Sequence, residues 1–518
     1  MHAAFDTRNG LLALITLCVV VQSSVCIAVG CALDSEEVSP VRQEKEKTKL
    51  FFGTAACVDC HNKEKPREDA DYPPLCRCTE FGIWEKGDKH KSAYLVLEGD
   101  RGKQMAQLLG SDVDVTKPEA GCINCHGVST GDAKRDRFKL SDGVSCVVCH
   151  GPYEEWVDVH GSALASKRDQ WRAKTREEKE QLWGMTDLWN PGKRAKLCLS
   201  CHVGNAAENK VVTHQMYAAG HPPLPGVEVS TFSDLMPRHW QFQSAKPPKV
   251  REILQFDETR MEQAELVLVS AAATLRESMT LIADKAKEVS SPQGQRGLLD
   301  FALFDCYACH HDLKPGDKQQ ASPRAQRGYD VIPGRPMPRP WPTALIEVGV
   351  RHASADPAEA QKHRAEFDAA MKKLADAYSA RPFGDPSRVE AEARAVSTWA
   401  DCLMKKLQAA KYTQQDARKL LEHLCELPDA KKTDFDSARQ IAWAFKSIYN
   451  QVDPRPAKAA EIDKKLDDLE KQLKLALPST QAKEILDKDE LPKVLRLIGD
   501  FDPALFKASI TEIGTLLK

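Results

Sequence analysis

The chain has 518 residues and a formal net charge of −2, with 73 lysines and arginines against 75 aspartates and glutamates. This balance, without a basic stripe, argues against a nucleic-acid-binding protein, because phosphate recognition requires clustered positive charge. With 42% hydrophobic and 29% charged residues the composition is that of a globular protein, and the length suggests about three domains.

The N-terminal segment predicts export. Residues 11–33 are almost entirely apolar, follow Arg8 and end at the acidic sequence DSEE, which is typical of a secretory signal. The run is also long enough to cross a membrane, and AVGC resembles a lipoprotein cleavage box with Cys31 as the acylated residue. Residues 1–33 are therefore predicted to be a signal peptide or an N-terminal anchor. The protein is predicted to be periplasmic or otherwise exported, either soluble or attached to the membrane.

Ten of the seventeen cysteines fall into five copies of the pattern CxxCH. In this pattern each thiol adds to one vinyl group of a haem, and the histidine binds the iron as the proximal ligand. The five copies are Cys57, Cys60 and His61; Cys122, Cys125 and His126; Cys146, Cys149 and His150; Cys198, Cys201 and His202; and Cys306, Cys309 and His310.

Two other metal sites use closely spaced cysteines, but neither explains this pattern. Zinc ribbons need CxxC units in pairs and have no reason to place a histidine after each unit. Iron–sulfur clusters need four thiolates each and would leave the histidines unused. The sequence therefore predicts five covalently attached haems of the c type.

Each of these irons has a sixth position, which is either filled or open. Five further histidines are candidates to fill it: His90, His160, His214, His221 and His239. His311 is a weaker candidate because it adjoins a proximal ligand. Methionine is the competing ligand type, but the surplus of histidines favours bis-histidine ligation of most or all haems.

The order of the motifs resembles the tetrahaem cytochrome c-554 family over about residues 50–205. The resemblance is carried by CVDCH followed by IWEKGDKH, by CINCHG, by GVSCVVCHGP with a histidine ten residues later, and by CLSCH. It implies that His90 is the sixth ligand of the haem held by His150. It also implies that His160 is the sixth ligand of the haem held by His61.

The same resemblance implies that the second haem, on His126, is five-coordinate. This sequence departs from the family through its fifth motif, its long C-terminal part and the additional His214, His221 and His239. The face that the family leaves open is therefore either open or filled here.

Residues 50–312 are predicted to form a loop-rich pentahaem domain in which the haems provide much of the apolar core. One long helix is expected within it, with Asp257 as its N-cap. A set of apolar residues at helical spacing predicts its buried face: Met261, Ala264, Leu268, Ala272, Leu275, Met279 and Ile282.

The C-terminal part is predicted to be helical. Seven prolines within residues 313–342 predict a linker, because proline at this density continues neither helix nor sheet. Residues 343–518 are predicted to form an antiparallel bundle of five or six helices, with helix starts at Asp356, Asp385 and Thr413. The predicted fold class is mainly α.

Four cysteines outside the motifs and the N-terminal segment have no assigned role. Cys402 and Cys425 lie on either side of a predicted turn. They are predicted either to form a disulfide or to remain as two thiols. Cys76 and Cys78, in LCRC, are too close in sequence for an unstrained bridge.

Two functions are compatible with these predictions. Closely spaced haems with two axial ligands form an electron carrier between redox proteins that act as donor and acceptor. A haem with an open face is instead typical of an oxidoreductase, here acting on a small nitrogen compound while the other haems supply or remove electrons. The electron carrier is favoured, because the sequence contains no other catalytic motif.

Overall fold

The structure is a computed structural model that describes most of the chain beyond residue 52. The described residues are 53–62, 76–110, 112–128, 138–152, 156–162, 164–291, 297–306, 309, 336–380, 382–430, 433–473 and 501–518. The predicted signal or anchor, His310, His311 and most of the proline-rich segment lie outside them.

The described residues are mainly helical, which confirms the predicted fold class. They contain no β-strand, and an isolated bridge joins Asn205 to Lys210. The first part of the chain consists of short helices: α1 (Ala55–His61), α2 (Glu80–Gly87), α3 (Leu95–Glu98), α4 (Asp100–Leu109), α5 (Cys122–His126), α6 (Cys146–His150), α7 (Val157–His160), α8 (Ala165–Arg172), α9 (Arg176–Trp183), α10 (Pro191–His202), α11 (His214–Ala218), α12 (Val229–Leu235) and α13 (Pro248–Ile253).

Four of the five CxxCH motifs lie at the C-terminal ends of helices α1, α5, α6 and α10. Three of these helices have only 5 to 7 residues, and isolated helices of this length are marginal in water. The fourth, α10, is longer and begins with two start signals, the side chain of Asn190 as N-cap and Pro191 in the first turn. The motif region therefore depends on packing partners beyond its own helices.

The longest described helix, α14 (Glu262–Ser290), packs against both the motif region and the C-terminal part. The apolar face predicted for it is confirmed, since Leu268 and Leu275 are fully buried and Ile282 is 6% exposed. The predicted N-cap is wrong. Asp257 accepts hydrogen bonds from the backbone and hydroxyl of Thr259 in a preceding turn, and the helix begins five residues later.

Helix α14 contacts α10 and α12 of the motif region and also packs along the longest helix of the C-terminal part, Pro386–Ala409. Among the described helices it is the one long and apolar enough to cross a membrane, yet 72% of its most apolar window is buried inside the protein. This burial agrees with the predicted role of a packing helix.

The C-terminal part consists of seven helices within the described residues. They are α15 (Ile346–Ala353), α16 (Pro357–Tyr378), α17 (Pro386–Ala409), α18 (Gln414–Glu426), α19 (Phe435–Tyr449), α20 (Ala459–Leu473) and α21 (Pro503–Leu517). The three predicted starts are confirmed, because the side chains of Asp356, Asp385 and Thr413 cap α16, α17 and α18.

Cross-helix contacts show that neighbouring helices run antiparallel. Between α14 and α17, Arg276 pairs with Asp401 at 2.8 Å, whereas the hydroxyls of Thr280 and Ser397 lie 2.8 Å apart. Residue numbers therefore rise along α14 while those of their partners fall along α17, as in antiparallel packing. The same relation holds between α19 and α20.

The two cysteines of the C-terminal part, Cys402 and Cys425, are not joined by a disulfide. Of the two alternatives predicted for them, the structure therefore shows two thiols and no disulfide. Cys425 lies next to Gly514 of α21, where a Cβ on the glycine would come within 3.3 Å of the sulfur.

A cavity of about 320 Å³ lies at the N-terminus of α14. Glu262 lines it together with three arginines, Arg176, Arg194 and Arg260, and with Glu265, which is ion-paired to Arg260. Burial raises the pKa of Glu262 to about 7, although the three arginines oppose this shift. One of its carboxylate oxygens is buried without a hydrogen-bond partner.

We expect Glu262→Gln to stabilise the protein at alkaline pH. The folded protein holds the Glu262 proton more tightly than the unfolded chain does. The resulting contribution to the free energy of unfolding is therefore complete below pH 4.5 and is lost as the pH rises to about 7. In urea unfolding at pH 8, the free energy of unfolding of this variant should exceed that of wild type by about 1–3 kcal/mol. At pH 5 the difference should be smaller. Glu258→Gln, on the surface, is the matched control. An equal gain at both pH values would contradict this account.

Candidate haem-binding sites

Three of the CxxCH histidines lie next to a second histidine ring. The ring centroids are 5.9 Å apart for His61 and His160, 6.3 Å for His90 and His202, and 6.4 Å for His126 and His221. The rings of the first pair are nearly parallel, at 14°, and those of the other two are nearly perpendicular.

These separations fit two imidazoles on one metal ion. A bond from an imidazole nitrogen to a transition metal is about 2.0–2.1 Å long, and each ring centre lies about 1 Å behind its nitrogen. Two such ligands on opposite sides of one ion therefore have centroids about 6 Å apart. The three histidine pairs thus fit the axial positions of a haem iron.

Carboxylates hold two of these histidines. The Nδ1 atom of His61 lies 2.9 Å from Oε2 of Glu80, and Nδ1 of His90 lies 3.1 Å from Oδ1 of Asp88. The hydrogen bond to Glu80 raises the pKa of His61. A carboxylate on the outer nitrogen fixes the ring orientation and makes the inner nitrogen a stronger metal ligand.

Backbone carbonyls hold two others. Nδ1 of His126 donates to the oxygen of Ala93 at 2.9 Å, and Nδ1 of His221 donates to the oxygen of Pro222 at 2.7 Å. Because Nδ1 is occupied in each case, the proton is fixed there and Nε2 remains available for a metal.

His160 is held by aromatic packing. Its ring lies 5.2 Å from Trp156 and 5.0 Å from Trp171, and Trp171 in turn lies 5.2 Å from Trp183. Burial lowers the pKa of His160 to about 3. The tryptophans thus enclose the ring and keep it neutral, the form in which imidazole binds metals.

His150 has a different environment from the three pairs. Burial, with a smaller contribution from the nearby His239, lowers its pKa to about 4. Its Nδ1 is buried without a hydrogen-bond partner among the described residues. Nδ1 of His239 lies 3.4 Å from the oxygen of Pro237. The electrostatic influence of His239 on His150 places it near the third motif, where His61 also acts on His150.

The fifth motif is described in part. Cys306 and Cys309 are exposed, and His310 lies outside the described residues. His214 stands near the segment that leads to this motif, because its ring packs at 5.5 Å on Phe301 and its backbone donates to Asp300.

The structure places His90 differently from what the family resemblance implies. Its ring lies beside that of His202, the histidine of the fourth motif. Its backbone, however, is anchored at the third motif, because the carbonyl of His90 accepts the N–H of Val144 at 3.0 Å. Gly143 permits this close approach, since its φ is +60° and a Cβ would lie 2.6 Å from that carbonyl oxygen. The segment thus connects the third and fourth motifs.

The thiols of different motifs are neighbours in space. Cys57 of the first motif contacts Cys146 of the third, which lowers the pKa of Cys57. Cys125 of the second motif contacts Cys201 of the fourth, which lowers the pKa of Cys201.

The third and fourth motifs are also adjacent. Cys149 is half-buried close to Cys198 and Cys201, and desolvation together with these thiols raises its pKa. The spatial order of the motifs is therefore first, third, fourth, second.

Sequence reasoning missed Glu80, Asp88 and Trp171 as residues that hold the histidines. Asp88 had a local signal, because it precedes His90 by two residues and caps the turn that contains it. Glu80 and Trp171 reach histidines on other segments, which no local pattern reveals.

Cysteine pairs followed by histidines, with a second imidazole at axial distance, define a c-type haem protein. Residues 56–151 match the family model for cytochrome c554 and c-prime. Over these residues the chain is similar to c-554-like multihaem cytochromes, a family that carries covalently bound haem c, has an electron-transfer or related redox role and works with redox proteins. No curated protein and no solved structure matches the chain significantly.

Proposed function

We propose that the protein is a periplasmic electron carrier that holds five haems, most of them with two histidine ligands. The observation that carries this proposal is the set of three histidine pairs at axial spacing. When bound, the haems supply the one-electron chemistry. The polypeptide would fix their positions and set how strongly each histidine donates electron density to the iron.

The pairs suggest a ligand assignment. His160 would complete the haem of His61, His221 that of His126, and His90 that of His202. His239 would serve the haem of His150. By the same reasoning His214, beside the segment that leads to the fifth motif, would serve the haem of His310.

The order of the motifs suggests an electron route. Because the first and third motifs touch through their cysteines, as do the second and fourth, the attached haems would lie edge to edge. The third and fourth motifs join these two groups. Electrons would then pass along the order first, third, fourth, second, with the motif at Cys306 supplying a further haem.

The alternative function, an oxidoreductase acting on a small nitrogen compound, requires a haem with an open face. In the family that face belongs to the second haem. Here the ring centroids of His221 and His126 lie 6.4 Å apart. Nδ1 of His221 already donates to the oxygen of Pro222. This favours a filled position and supports the carrier.

The test is the spin state of the oxidised, haem-loaded protein. Wild type should be low-spin by paramagnetic resonance and should not bind cyanide. His160→Gly should convert one haem to the high-spin form, and added imidazole should restore the low-spin signal. His363→Gln, in the C-terminal bundle where His363 pairs with Glu359, is the control. A wild-type protein that is high-spin at one haem and binds cyanide would favour the oxidoreductase.

A further inference from the structure

Two cysteines that belong to no CxxCH motif lie side by side next to the first haem site. The sulfurs of Cys76 and Cys78 are 3.8 Å apart. Both side chains are half-buried and neither forms a disulfide. The haem sites therefore have a pair of thiols beside them that haem attachment does not use.

The backbone is shaped to bring these thiols together. Cys78 has a φ of +60°, in the left-handed region that residues other than glycine rarely adopt. Bonded sulfurs lie about 2.05 Å apart, so the two sulfurs need to approach by less than 2 Å to form a bond. The ring that would close over Arg77 is small, and strained disulfides of this kind are readily reduced.

The thiol pair is linked to the ligand of the first haem by one carboxylate. Oε1 of Glu80 accepts the backbone N–H of Arg77 at 2.7 Å. Oε2 of the same carboxylate lies 2.9 Å from Nδ1 of His61. A shift of the backbone between the two cysteines therefore reaches the hydrogen bond that holds His61.

We propose that Cys76 and Cys78 form a dithiol–disulfide redox centre beside the first haem motif, and that its state adjusts His61 through Glu80. The thiol chemistry stands by itself. The effect on the haem rests on the proposed function, because it needs His61 to be an iron ligand.

The reaction balances with one-electron partners. On oxidation both S–H bonds break, one bond forms between the sulfurs, two protons pass to solvent and two electrons leave. The acceptors are two one-electron oxidants, such as two ferric haems. On reduction a small dithiol returns the two electrons and two protons.

A metal ion is the competing occupant. Ligand atoms of His61, Cys76 and Glu80 lie within 4.8 Å of one another, and thiolates are good ligands for zinc. An ion there would need His61, which the proposed function assigns to haem. The disulfide needs only the two sulfurs, and we therefore favour it.

The test uses the full-length, haem-loaded protein, equilibrated with set ratios of reduced and oxidised dithiothreitol and then denatured, alkylated and digested with trypsin. Because trypsin cleaves after Arg77, the dithiol gives two alkylated peptides, whereas the disulfide holds the two peptides together. We expect conversion between these two forms with a two-electron dependence. Cys78→Ser should abolish the linked product, and Cys402→Ser should leave it unchanged.

The haem supplies a second readout. In wild type the midpoint potential of one haem should shift between the dithiol and disulfide forms. Glu80→Gln should keep the linked peptides but lose this shift. Two thiols that alkylate at every ratio, thiols protected until a chelator is added, or cross-links to other cysteines would each overturn the redox centre. Linked peptides from a protein that lacks covalent haem would instead overturn the proposed function alone.

Discussion

Replacing Cys146 and Cys149 with alanine should remove one haem and interrupt the proposed electron route at its centre. The third motif contacts the first through Cys146, and Cys149 lies near the cysteines of the fourth. Without this haem the first motif loses its only described thiol contact with the rest of the route. Electron transfer should therefore fall more than it would after loss of the haem at either end of the route.

The measurement has two parts. The ratio of haem to protein, from the pyridine haemochrome spectrum, should fall by the equivalent of one haem. In film voltammetry the remaining haems should exchange electrons in two separate groups. Cys402→Ala combined with Cys425→Ala, which alters two thiols of the C-terminal bundle, should leave both measurements unchanged. Full haem content in the double variant of the third motif would contradict the attachment itself.

Shortening Leu275 of α14 to alanine should cause the largest loss of stability. Leu275 is fully buried in the helix that contacts both α10 of the motif region and α17 of the C-terminal part. A fully buried leucine replaced by alanine leaves a cavity and costs about 2–5 kcal/mol. Urea unfolding of the haem-loaded protein, followed by far-UV circular dichroism, measures this change.

The control is the same substitution at an exposed leucine. Leu298 is 52% exposed, so Leu298→Ala should change the free energy of unfolding by no more than about 0.5 kcal/mol. If the two variants lost equal stability, α14 would not be the central packing element that the structure shows.

The features that sequence reasoning predicted well are those with local causes. Aspartate or threonine before a helical run caps it through its own side chain, which made the starts at Asp356, Asp385 and Thr413 predictable. The buried face of α14 was predictable for a similar reason, because apolar residues at helical spacing lie on one face of a helix and can be buried together.

The features that sequence reasoning missed depend on contacts between distant segments. The side chain of Asp257 could accept hydrogen bonds either from the first turn of a helix or from Thr259. Only the folded structure shows that it accepts from Thr259. His90 lies beside His202 of the fourth motif, while its carbonyl accepts the N–H of Val144 at the third motif. No spacing along the sequence encodes that placement.

The contacts between cysteines of separate motifs have a consequence for biogenesis. Cys57 touches Cys146, and Cys125 touches Cys201, so a folded chain without cofactor would hold these sulfurs where an oxidising compartment cross-links them. Such bridges would consume the groups that must react with the porphyrin vinyls. If these cysteines hold haem as proposed, attachment should come first, on an unfolded and reduced polypeptide, and final folding should follow once the sulfurs are capped as thioethers.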